Sequence, residues 1–106
     1  MPDENQTEVP QSFMALFVER GRLKPGVTRE VIESRYALCE DMACMLIEQA
    51  QTVLFDQGIS EMEVLRRCHQ GLLADAAVIS ASESDWVIYR LAELLCWAPP
   101  DLSEAG

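Results

Sequence analysis

The 106-residue chain sets 18 acidic against 8 basic side chains, a net charge of −10, and 49 % of its residues are hydrophobic. That balance disfavours nonspecific attraction to nucleic acid and to anionic lipid, since both are polyanions. The length allows one hydrophobic core and buries about two-thirds of the unfolded surface, enough to fold without metal or disulfide staples.

The opening stretch MPDENQTEVP has no base and no apolar run, unlike a secretory signal. No charge-free stretch approaches the roughly 20 residues that a membrane span needs. The expected address is the cytoplasm. In that reducing compartment Cys39, Cys44, Cys68 and Cys96, all inside expected helices, read as small buried hydrophobes rather than as a disulfide framework.

Residues 1–9 read as a flexible tail. Pro10 or Ser12 opens a short helix reaching about Arg20, with Phe13, Leu16 and Phe17 as one apolar stripe and Gly21 as its left-handed end. The only basic cluster follows, Arg20, Arg22, Lys24 and Arg29, around the turn Pro25-Gly26. Thr28 caps a long helix over 29–57, which contains no Gly or Pro and would extend about 43 Å. Its apolar positions recur at helical spacing from Val31 to Leu54. Tyr36, Met45 and Phe55 widen that stripe beyond a single seam. Glu33, Glu40, Asp41, Glu48 and Gln51 are expected toward water.

Gly58 ends this helix, with Leu54 and Ile59 placed for a Schellman contact. Ser60 then caps the next, and Glu63 completes an S-x-x-E capping box. So short a connection predicts an antiparallel return at 58–60. The third helix is expected over 61–77, weakened by Gly71. Two overlapping boxes, Ser80 with Glu83 and Ser82 with Asp85, open a fourth over 83–97, and Pro99-Pro100 stops it. The fold class is therefore all-α: a small bundle of about four helices, 10–20, 29–57, 61–77 and 83–97, around one long central helix. The helical domain covers 10–98, and 99–106 form a second flexible tail.

Few residue patterns carry chemistry. His69, the only histidine, stands next to Cys68, but adjacent helical residues point about 100° apart. Cys39 and Cys44 are also out of phase, and no CxxC, HxxxH or ExxH spacing occurs. A di-iron bundle would need inward Glu residues with Glu-x-x-His on two helices, which one histidine cannot supply. There is no G-x-S-x-G elbow and no phosphate loop, and the only lysine precedes Pro25. No catalytic residue, metal or cofactor is expected.

Two surfaces are candidates for partners. The basic loop Arg20, Arg22, Lys24 and Arg29 is a candidate contact for phosphate or an acidic partner, against plain charge balance beside acidic helices. Trp86, Tyr89, Trp97 and Phe55 form a candidate partner surface, because four elements do not easily bury every side of both the long and the last helix. The alternative is that both Trp are core.

The segments Pro10-Gln11-Ser12-Phe13, Gly21-Arg22-Leu23, Arg35-Tyr36-x-Leu38-Cys39-Glu40-Asp41 and Val64-Leu65-Arg66-Arg67-Cys68-His69 resemble a family of small uncharacterised bacterial proteins, some labelled "ATPase with chaperone activity". The resemblance implies a bacterial chain that accompanies a chaperone or a protease ATPase as an adaptor.

The sequence thus points to a non-enzymatic protein-interaction module, self-associating or bound to a protein partner, with no nucleic-acid partner and no membrane. Two alternatives stand beside it. One is a small-molecule or metal-binding helical protein with a pocket near Cys68 and His69. The other is an acidic mimic that binds a basic protein.

Overall fold

In the computed structural model the protein is all-α, a small bundle of four helices with no strand among the residues described, 9–18, 26–75, 77–100 and 102. The chain divides into two compact units, residues 1–38 and 39–106.

In the first unit, α1 (Gln11–Met14) is a single turn. The Pro10 carbonyl opens it, accepting from the Phe13 and Met14 N–H groups at 3.1 and 3.0 Å. A 3-10 turn, Ala15–Phe17, follows, and Val18 is extended. The helix is thus shorter than the expected 10–20. The reason is non-local: the Phe17 carbonyl accepts from the Gly26 N–H at 2.9 Å rather than from a further helical turn. Gly21, expected to end it, lies outside the described residues. Phe13 is fully buried, with its ring 5.4 Å from Phe17 and 5.6 Å from Tyr36, the latter edge-on. A single turn is marginal in water, so aromatic packing of this kind is what holds it.

The long helix, α2 (Arg29–Gln57), starts in this unit. Thr28 Oγ1 accepts from the Val31 N–H at 3.3 Å and caps it. The second unit contains the rest of α2, from Cys39, together with α3 (Glu61–Leu73) and α4 (Ala81–Leu95). Here α2 turns only small side chains fully inward: Cys39, Ala43 and Ala50. The larger apolar groups of the core come from its companions, Val64 and Leu65 on α3, and Val87, Ile88 and Leu91 on α4. Each such side chain contributes roughly 1.5–3 kcal/mol on burial.

Gly58 is left-handed at φ 63, and its N–H donates to the Leu54 carbonyl at 3.1 Å. This is the single bond of the simpler αL ending, not the expected Schellman pair. The doubled pattern occurs instead at the end of α4. There Cys96 takes φ 62 and donates to the Glu93 carbonyl at 3.1 Å, while Trp97 N–H reaches the Ala92 carbonyl at 2.9 Å. The Cys96 turn closes α4 at Leu95, two residues before the expected end.

The starts also differ. Ser60 Oγ accepts from the Glu63 N–H at 3.0 Å, but the Glu63 carboxylate turns away to Arg66 and Arg67, at 2.9 and 3.2 Å. Two guanidinium groups one turn on outcompete a single backbone N–H, so the expected box is half closed. At Ser80 both halves form: Glu83 N–H to Ser80 Oγ at 3.1 Å, and Ser80 N–H to Glu83 Oε1 at 2.9 Å. This box starts α4 at Ala81, ahead of the expected 83, and Asp85 of the overlapping box pairs with His69 instead. The third helix ends at Leu73 rather than 77. Beyond it the Asp75 carbonyl folds a turn, accepting from Val78 and Ile79.

Candidate functional site

The outer face of α2 in the second unit carries apolar groups that nothing within the unit covers. Met45 is 76 % exposed and Phe55 85 %, ten residues or about 15 Å apart along the axis. Cys44, Glu48 and Asp41 are exposed beside them. The cause lies in the inward face. With Cys39, Ala43 and Ala50 taking the packed side, the widest apolar positions are left on the opposite one. The reading of Cys44 as a buried hydrophobe is overturned, and so is that of Cys96, which is exposed at its left-handed turn.

The four aromatic candidates separate. Phe55 stands out on α2. Tyr89 and Trp97 line one open depression of about 300 Å³ with Pro99, close to the end of α4. Trp86 does not belong to this surface: it is 8 % exposed, in the core. Val87 and Ile88 are fully buried as well, so α4 is packed around most of its circumference at this level. Of the candidate basic loop, Arg20, Arg22 and Lys24 lie outside the described residues. Arg29 is exposed and bonded to Glu33 one turn on, at 2.9 Å.

A half-open cleft of about 320 Å³ lies between α2 and α3. Gln57 meets Arg67 at one end, while a smaller depression joins Met42 to Leu72 at the other, so the two helices run antiparallel, as the short return predicts. Cys68 lines this cleft and His69 does not. Burial pushes the Cys68 thiol above its ordinary range, so it stays protonated. The expected pocket near Cys68 and His69 is thus a pocket at Cys68 alone. His69 is buried, and its Nε2 sits 2.6 Å from Asp85 Oδ1, tying α3 to α4. Among the described residues no group of three His, Cys, Asp or Glu is placed to hold a metal ion.

A further link joins α2 to α4. Arg90 on α4 grips Glu40 on α2 through two parallel bonds, Nε to Oε1 and Nη2 to Oε2, each 2.9 Å. A third bond, from Nη1, reaches Glu93 at 3.1 Å. These acceptors, Glu40 first, raise the Arg90 pKa still further. Glu40 is therefore a structural clasp and not a wet carboxylate. No local spacing points to a pair fifty residues apart.

No family model, no curated protein and no solved structure matches the chain. No helix among the described residues is long and apolar enough to cross a membrane.

Proposed function

We propose that the protein is a non-catalytic interaction module, a cytoplasmic adaptor or regulator that self-associates through the outer face of α2. One observation carries this reading: Phe55 and Met45 stand 85 % and 76 % exposed on a single helix. Burying such side chains yields roughly 1.5–3 kcal/mol each, and aromatic anchors of this kind dominate protein interfaces. Asp41 and Glu48 flank them, and α2 from Cys39 to Gln57 carries no basic residue, so a two-fold interface through this face brings like charges together. Self-association is therefore expected to strengthen with salt, which screens that repulsion. The resemblance to chaperone-labelled bacterial proteins makes a chaperone or protease ATPase the first other partner to try.

Size-exclusion chromatography with light scattering, at micromolar protein with reductant, tests this. The expected result is a dimer mass that rises in population with salt and reverts to monomer in the double variant Met45→Ser, Phe55→Ser. A monomer mass for the unaltered chain at every salt concentration sinks the self-association. Co-purification from the native host, compared between the unaltered chain and the double variant, then decides whether the same face serves another protein.

A further inference from the structure

The cleft between α2 and α3 differs in chemistry from the exposed face of α2. Leu46 and Val53 form one wall and Val64 and Leu72 the other, so its body is apolar. A single charged side chain reaches it, that of Arg67, at the end where α2 finishes. Arg67 Nη1 donates to Gln57 Oε1 at 2.7 Å and its Nε to Glu63 at 3.2 Å. Glu63 is shared with Arg66 at 2.9 Å, so its one carboxylate is divided between two guanidinium groups. The Gln57 acceptor is neutral. A carboxylate in its place would form a charge-assisted bond about twice as strong.

Gly71 supplies a second, independent observation. Glycine within a helix costs backbone entropy, and such a position is normally kept for a left-handed turn or a close approach. Neither applies. Gly71 is not among the positive-φ residues, and a Cβ built on it would meet no atom within 4 Å. Gly71 is exposed and lines the cleft, so a side chain there would project into its open side.

We propose that this cleft binds a small amphipathic monocarboxylate of the medium-chain fatty-acid class. Its carboxylate is held by Arg67 and its tail lies along Leu46, Val53, Val64 and Leu72 over Gly71. The volume of about 320 Å³ corresponds to about ten water-sized groups at roughly 30 Å³ each, which matches a chain of about eight to ten carbons. A further depression of about 140 Å³ at Met42 and Met45 shares Leu46 and Leu72 with the cleft and would receive a longer tail. The chain's net charge of −10 repels anions at a distance. Affinity therefore comes from contact inside the cleft and not from electrostatic steering.

Calorimetric titration of the full chain with octanoate and decanoate below their micellar concentrations, and with octanol below its solubility limit, tests the proposal. Decanoate is expected to bind roughly tenfold tighter than octanoate, as two more methylenes are buried. Octanol, lacking the charge, is expected to bind at least tenfold more weakly than octanoate. Arg67→Gln should weaken decanoate about tenfold or more and leave octanol unchanged. Gly71→Leu should weaken both by narrowing the cleft, and Phe55→Ser should alter neither. Arg67 lies on an exposed part of the helix, so its variant carries the test even where Gly71→Leu fails to fold. The proposal is overturned by absence of decanoate binding at millimolar concentration, by octanol binding as tightly as octanoate, or by decanoate binding that Phe55→Ser removes and Arg67→Gln does not.

Discussion

Two helices of the second unit finish on a left-handed residue, α2 at Gly58 with φ 63 and α4 at Cys96 with φ 62, yet the two ends are built differently. At Gly58 the residue itself makes the turn inexpensive, and one backbone bond to Leu54 suffices. At Cys96 the side chain opposes the turn by about 1–2 kcal/mol, and two backbone bonds, to Glu93 and Ala92, hold it there. The first end is specified by a residue type and the second by hydrogen bonding. The helix starts make the same point. Ser60 and Ser80 begin the same S-x-x-E pattern, but only Ser80 closes its box, because Glu63 has two arginines within reach.

Substitutions at these four ends should separate the two kinds of specification. The largest expected effect is at Gly58. A Cβ there meets no neighbour, so Gly58→Val measures backbone strain alone, a loss of about 2 kcal/mol in urea unfolding. A loss near zero would mean that the turn tolerates any residue. Next comes Ser80→Ala, with a loss of about 1.5 kcal/mol, against about 1 kcal/mol or less for Ser60→Ala. Equal losses at the two serines would erase the distinction between a full and a half box. Cys96→Gly should move the other way, with the midpoint of unfolding rising by about 1 kcal/mol of stability as the strain is relieved. Smallest of all is the pair Arg66→Gln with Arg67→Gln. It removes exposed ion pairs but frees Glu63 to complete the box at Ser60, so the net change should stay within about 0.5 kcal/mol. A large loss there would show the arginines to be more than competitors for Glu63.

What the sequence made legible follows the same division. The bounds of α2 were readable because both are set by residues in place, Thr28 and Gly58, acting on their immediate neighbours. The early end of α1 was not, because it depends on a bond to Phe17 from Gly26, nine residues further along the chain. The capture of Glu63 by Arg66 and Arg67 was in principle readable, since all three lie within one helical turn. For the candidate surface, Phe55 and Trp86 look alike as large aromatics on helices, and only tertiary packing assigns one to solvent and the other to the core. Periodicity did not separate them, because the stripe on α2 is wider than the side that small Cys39, Ala43 and Ala50 pack. The Glu40–Arg90 clasp lies beyond any window of local pattern.

The exposed thiol of Cys44 has a practical consequence. It stands one residue before Met45 on the face that carries Phe55, while Cys39 is buried and Cys68 is held as the less reactive protonated thiol. In air, two copies meeting through this face would be trapped by a disulfide whether their encounter was specific or accidental. Under reductant the same sulfur becomes an instrument. A fluorophore attached at Cys44 in a Cys96→Ser background would change its emission if a second copy covers the face, reporting in real time whether that happens.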